Sequence, residues 1–225
     1  MISVLTLTYQ RHHLLEEAIQ SYLNQDYKGE SELVIINDCP QVMYSFKHPK
    51  IKIYNIGTRF SSVGSKLEWG MKNTNGDYVY RLDDDDLMAP WALSLQNDYI
   101  ENNIGYDVYR CQHHYFFSNN EYQALSDSIN NGNCYSRDFI NRINWIDKSI
   151  GEDNHITFHQ NANIFTGNTG KYSMAYRWGM GVYHISGMGD KPNNEIYQMT
   201  DKSNTENGII YLKPNLKKDY WSEIK

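Results

Sequence analysis

Four consecutive aspartates, Asp83, Asp84, Asp85 and Asp86, follow directly on Tyr78 to Leu82, a run that reads as a short strand. Tyr78, Val79, Tyr80 and Leu82 suit a pleated, half-buried surface. Carboxylates about 5 Å apart repel by roughly 3 kcal/mol per pair at an effective dielectric near 20, so positive charge is expected beside them. Hard oxygen ligands point to a divalent cation such as Mg²⁺ or Mn²⁺. The plainer alternatives are a solvated acidic turn, or carboxylates capping a helix opened by Pro90. A buried-looking strand leading into the run favours the cation.

The stretch before it has a regular rhythm. Ile2 to Thr8 alternates as a first strand, with Thr8-Tyr9-Gln10-Arg11 as its polar exit. From His12 to Gln25, Leu14, Leu15, Ala18, Ile19, Tyr22 and Leu23 fall at helical spacing. Leu33 to Ile36 is a continuous apolar run, as in a strand covered on both faces, and stops at Asn37-Asp38-Cys39-Pro40. Ile51 to Ile56 predicts another strand, Gly57 to Gly64 a loop, and Ser65 to Asn73 a helix stopped by Asn75-Gly76. This order predicts an α/β fold with a mostly parallel central sheet flanked by helices. Ligands bind beyond the carboxyl ends of such strands, so Thr8-Tyr9, Asp38 and Asp83 to Asp86 are expected to converge on one crevice. Neither GxGxxG nor GxxxxGK[ST] occurs, which leaves carboxylates with a bridging metal as the means of holding phosphates.

Composition narrows the class. The 225 residues fit one domain. A net charge of −6 argues against a nucleic-acid coat or a membrane-surface protein. No apolar run approaches the roughly 18 residues that span a bilayer. Met1-Ile2-Ser3-Val4 enters a strand with no basic and apolar leader. Cys39, Cys111 and Cys134 are odd in number and include no CxxC, which fits a reducing compartment without structural zinc. The expected location is cytoplasmic.

Four motifs in order then carry a resemblance: LTYQR at Leu7 to Arg11, the helical LLEEAIQSYLNQDY, ELVIINDC, and VGSKLEWGMKNTNGDYVYRLDDDDLMAP. Over about its first hundred residues the chain resembles the family 2 glycosyltransferases, and within them the subgroup with a DDDD acidic motif. The resemblance implies a single nucleotide-diphospho-sugar transferase domain. Residues 1–105 would form its nucleotide-sugar-binding half, and 106–225 the half with the acceptor site and catalytic base. It implies that Tyr9 stacks near the nucleobase, Asp38 accepts a base N–H, and Thr8, Arg11 and Lys66 line the donor site. Lys66 would offset phosphate charge, Asp83 contact the ribose or sugar, Asp85 bind the metal with Asp83, and Asp84 share either role. Asp86 is expected to cap the helix near Pro90. Leu7 stands for the usual proline, Asn37 for the first aspartate of a pair and Glu68 for a common asparagine.

Beyond Pro90 the pattern predicts a helix from Trp91 to Ile100, a strand from Tyr106 to Phe117 and a helix from Arg137 to Trp145. Adjacent strand residues face opposite ways, so His113 and His114 are not expected to bind one metal. The resemblance places an acidic pair at Glu152-Asp153, with Asp153 as general base and Glu152 as its neighbour. An acidic cap ahead of Asn154 to Phe158 is the alternative. His184, in the glycine-rich run from Trp178 to Gly189, is a candidate to complete the metal shell or touch the diphosphate; a loop histidine is the alternative. Lys213, Lys217 and Lys218 read as a solvated face.

The resemblance, with the acidic run beside it, implies an inverting, metal-dependent glycosyltransferase using Mn²⁺ or Mg²⁺ and a nucleoside-diphosphate sugar, a UDP-sugar foremost. The acceptor is expected to be a hydroxyl on a surface glycan. A protein side chain or a modified base in phage DNA stays open, although the negative charge disfavours DNA. Two rivals stand beside it: a nucleotidyltransferase of related fold, which would want a glycine-rich loop after the first strand, and a non-catalytic sugar-nucleotide or glycan-binding module.

Overall fold

The computed structural model describes residues 1–118, 121–125, 129–158, 160–177 and 207–222. In chain order the first elements are β1 (Ile2–Thr8), α1 (His12–Leu23), β2 (Ser31–Asn37), β3 (Val42–Ser45), β4 (Ile51–Asn55), α2 (Val63–Lys72) and β5 (Tyr78–Arg81). Next come β6 (Leu87–Met88), α3 (Ala92–Asn102), β7 (Val108–Cys111), β8 (His114–Ser118), β9 (Glu121–Leu125) and β10 (Cys134–Ser136). The last are α4 (Arg137–Arg142), α5 (Glu152–Phe158), β11 (Ile164–Gly167), β12 (Met174–Arg177) and β13 (Gly208–Tyr211).

The central sheet has the order β11-β7-β10-β5-β1-β2-β4. β10 runs antiparallel to both of its neighbours and the other pairings are parallel. Strand residues alternate between two buried layers. Ile2, Val4, Leu33 and Ile35 pack with Leu15 and Ile19 of α1 and Leu93 of α3. Leu5, Val34, Ile36 and Val79 pack with Leu67 and Met71 of α2 and Phe139 and Ile140 of α4. Covering both faces is what makes β2 read as an unbroken apolar run. The α/β expectation therefore holds, and the stretches before and after residue 105 build one sheet.

Smaller features depart from the sequence pattern. α1 ends at Leu23, and beyond it the Gln25 side-chain Nε2 donates to Ser21 O at 3.0 Å and to Ala89 O at 2.8 Å. α3 begins at Ala92, after Pro90 has used its carbonyl to accept the Asp26 amide at 2.8 Å. Tyr106 to Phe117 is not one strand. β7 joins the central sheet, while β8 crosses to a second sheet of order β6-β12-β8-β9. α4 stops at Arg142, short of Trp145. β3 pairs in parallel with β13, which tethers residues 208–211 beside the first half of the chain. Among the described residues no helix is long and apolar enough to cross a membrane.

Candidate active site

Parallel pairing of β1 with β2 and with β5 brings three carboxyl ends to one edge of the sheet. Beneath that edge Lys66 projects from α2 and is buried, with its Nζ donating to Asp38 Oδ1 at 2.6 Å and to Thr8 O at 2.7 Å. Asp38 is fully buried, and its second oxygen accepts the Phe60 amide at 3.1 Å. Burial pushes the Lys66 ammonium below the ordinary lysine value, although Asp38 pulls the other way. Asp38 and Lys66 thus form a buried ion pair beneath this edge of the sheet. Asn37 beside them donates from Nδ2 to Val42 O at 2.6 Å and to Asn55 Oδ1 at 3.0 Å. An aspartate has no donor for these bonds, which accounts for asparagine at this position.

Tyr9 is half-buried, and the Arg59 guanidinium lies 3.7 Å from its ring centroid, in cation–π contact. Gln10, next in the chain, has φ 50, an uncommon left-handed conformation at the exit of β1. Its side-chain amide donates to Cys39 Sγ at 2.9 Å, linking the ends of β1 and β2.

The acidic run is divided among three arginines. Arg11 Nε donates to Asp84 Oδ2 at 3.1 Å, its Nη2 bonds the other Asp84 oxygen, and its Nη1 reaches Asp85 Oδ2 at 3.0 Å. Arg81 Nε donates to Asp83 Oδ1 at 3.2 Å. The Arg177 amide donates to Asp86 Oδ1 at 2.6 Å, and Asn131 Nδ2 bonds the other Asp86 oxygen. Burial of Asp84 pushes its carboxyl up to about 6, with Arg11 opposing the rise and Asp85 adding to it. Asp86 is raised well above its ordinary value, again through burial. Burial also lowers Arg11, but the charges on Asp84 and Asp85 outweigh it and the guanidinium is held above its usual range. Arg11 and Arg81 thus offset part of the repulsion along the run, while Asp86 is held by the Arg177 main-chain N–H and by Asn131. Asp86 does not cap α3, whose N-cap residue Trp91 makes no side-chain capping bond.

Arg81 has a second carboxylate. Its Nη2 lies 3.4 Å from Glu152 Oε1, which ties the acidic run to the first turn of α5. Asp153, on the same turn, is half-buried, and its Oδ1 accepts the Asn154 amide at 2.7 Å. Burial pushes the Glu152 carboxyl up to about 7; Arg81 opposes that rise and Asp153 reinforces it. Between its ordinary value of 4.5 and about 7, the folded protein holds a proton here that the unfolded chain has released. This contribution to stability is full at low pH and lost as pH rises through about 7, a change of about 3 kcal/mol. Glu152→Gln is expected to remove this contribution to the stability profile, leaving the slopes from Asp84 and Asp86, whose carboxyls are also raised. Urea unfolding at a series of pH values tests it, and an unchanged slope would place the titrating group elsewhere.

The metal expectation meets a mixed outcome. Among the described residues no three His, Cys, Asp or Glu side chains form a metal cage. Mg²⁺ sites that serve phosphates need only one or two carboxylates, with phosphate and water oxygens completing the shell. Asp83 and Asp85 have side chains 32% and 9% exposed, whereas Asp84 is at 0% and bonded through both oxygens to Arg11. The donor set fits a cation that arrives with a diphosphate and is met by Asp85 and Asp83. His184 lies outside the described residues. His113 is partly exposed and 2.7 Å from Asn168 Oδ1, while His114 is buried, so the pair does diverge.

Arg59, Arg81, Asn131 and Arg177 were not anticipated. Arg81 could have been: it stands two residues before Asp83 on an extended chain, where alternate side chains share a face. Arg177 and Asn131 are 91 and 45 residues from Asp86 and carry no local signal.

Comparison with known proteins follows the same outline. The Glycosyl transferase family 2 model matches residues 3–186. An uncharacterized glycosyltransferase of Rickettsia bellii (strain RML369-C) is 27% identical over 143 residues, which is 58% of this chain and 19% of that protein. S. aureus TarS 1-349 in complex with UDP superposes with a TM-score of 0.64 at 20% identity, covering 78% of this chain and 60% of TarS 1-349. The complex of TarS 1-349 with UDP-GlcNAc gives 0.64 at 19% identity, covering 80% and 59%. Mannosyltransferase PcManGT from Pyrobaculum calidifontis, in complex with GDP-Man and Mn²⁺, gives 0.58 at 14% identity, covering 78% and 56%. This chain therefore spans less than two thirds of each of these proteins. With the family model covering most of its residues and the sheet and helices agreeing with those structures, the chain belongs to glycosyl transferase family 2.

Proposed function

We propose that the chain is an inverting glycosyltransferase that moves a sugar from a nucleoside-diphosphate donor to an acceptor hydroxyl. The observation that carries this is the bridge made by Arg81, which ties Asp83 of the acidic run to the Glu152-Asp153 turn at the carboxyl edge of a mostly parallel sheet. Donor-side and base-side carboxylates are thereby brought to one place. The likeness to the UDP and UDP-GlcNAc complexes of TarS supports a UDP-sugar, and the DDDD run supports the corresponding subgroup of the family.

In the proposed reaction Asp153 takes the proton of the acceptor hydroxyl as that oxygen attacks the anomeric carbon. The bond from that carbon to the diphosphate breaks on the opposite face, the configuration inverts, and the nucleoside diphosphate leaves. A divalent cation bound through Asp85, with Asp83, would supply positive charge to the two phosphates. Glu152 and Arg81 orient the turn that presents Asp153. Tyr9, on the crevice rim, offers an aromatic face beside the nucleobase, and the Asp38–Lys66 pair supports the floor beneath it. Residues 106–225 would contribute the acceptor side, with a glycan hydroxyl as acceptor.

Asp85→Ala is expected to weaken UDP binding in the presence of MnCl₂ by about 100-fold or more, judged by calorimetry. Equal binding by variant and parent would remove Asp85 from the donor site. UDP release from a panel of UDP-sugars separates an enzyme from a binding module, since a module would bind the nucleotide sugar and release none.

A further inference from the structure

We propose that Arg177 is a positioning residue that holds the Asp85–Asp86 segment in the shape that receives the donor, with Glu17 as its anchor; this rests on the donor reading given above. Arg177 is completely buried, and its contacts go to two places. On one side it grips the acidic run: its amide donates to Asp86 Oδ1 at 2.6 Å, and its Nε bonds the main-chain carbonyl of Asp85. On the other side its Nη1 donates to Glu17 Oε2 at 2.6 Å.

Glu17 is 1% exposed and sits on the buried face of α1. Its second oxygen accepts the Tyr220 hydroxyl at 2.7 Å and the Lys217 amide at 3.0 Å. Three elements distant in sequence, α1, β12 and residues 217–220, thus meet at one carboxylate. The grip on Asp85 is through its carbonyl, which leaves the Asp85 side chain directed to Arg11 at the crevice. A buried ion pair is weak evidence for a stabilising role, because apolar residues of similar volume often serve the fold as well. What apolar residues cannot supply is the donor to the Asp85 carbonyl. Groups one shell removed from a ligand-binding carboxylate typically alter affinity by about 10–100-fold through the orientation they impose.

The double variant Glu17→Met, Arg177→Met separates the two roles. It removes both charges together, so no buried charge is stranded; the unfolding temperature is expected to fall only by what the Tyr220 hydroxyl and Lys217 amide lose with their acceptor. Affinity for UDP with MnCl₂, measured by calorimetry on the folded variant, is expected to fall about 10–100-fold. Parent-like affinity in the folded double variant would overturn the assignment. If the double variant does not fold, Arg177→Lys keeps the charge opposite Glu17 while losing the guanidinium fork, and the same loss of affinity is expected. Unchanged binding by a folded Arg177→Lys protein would overturn the proposal as well. A parent protein that binds no UDP under these conditions would overturn the donor reading and this inference with it, whereas parent binding with unaltered variants overturns the inference alone.

Discussion

Asp153→Asn is expected to lower UDP-sugar turnover about a thousandfold while leaving UDP affinity nearly unchanged. Asparagine keeps the size of the side chain and can still accept the Asn154 amide bond that Asp153 makes at 2.7 Å. It cannot take up a proton from an attacking hydroxyl. The effect should therefore fall on the chemical step and spare donor binding. Single-turnover transfer together with calorimetric titration of UDP distinguishes the two. Retained turnover would point to Glu152, whose carboxyl is held up to about 7 by burial, with Arg81 opposing.

Asp38→Ala is expected to cost about 3–5 kcal/mol of stability, because it strips the buried Lys66 ammonium of the carboxylate it is hydrogen-bonded to, leaving Thr8 O as its acceptor. For a chain of this size that corresponds to a fall in Tm of roughly 6–20 °C. The pH dependence has a definite sign. The folded-state pKa of Lys66 already lies below the ordinary 10.5 through burial, and losing Asp38 lowers it further. Over the interval up to 10.5 the unfolded chain then binds the proton more readily, so stability of the variant rises with pH. Adding Lys66→Met should recover most of the loss by removing the stranded charge. A Tm change of less than about 2 °C for Asp38→Ala would mean that Lys66 finds water, and the buried pair would lose its structural role.

How much of this was legible beforehand depends on the range of the interaction. The α/β layering followed from local period: alternation in Ile2 to Thr8, helical spacing in Leu14 to Leu23, and an unbroken apolar run at Leu33 to Ile36. Boundaries slipped where a side chain had a distant partner, as at Gln25, whose Nε2 donates to Ala89 O. The site's carboxylates were visible as motifs, since Asp83 to Asp86 and Glu152-Asp153 are contiguous. The pairing of Asp84 with Arg11 was not, because the two lie 73 residues apart; Arg81, two residues before Asp83, did carry a local signal.

That difference shows most clearly in the acidic run. Four adjacent aspartates state a repulsion that something must offset, and the chain itself determines that much through short-range electrostatics. Which cations offset it is decided by which strands lie next to each other and which side chains their twist and register bring inward. The central sheet sets β5 beside β1, which carries Arg11 to Asp84 and Asp85. The second sheet pairs β12 with β6 just beyond the same run and so delivers Arg177 to Asp86. Sequence alone determined the layers, the carboxylates and their order; the tertiary structure decided that Arg11 pairs with Asp84 and Asp85, because only packing brings charges this far apart in the chain within hydrogen-bonding distance.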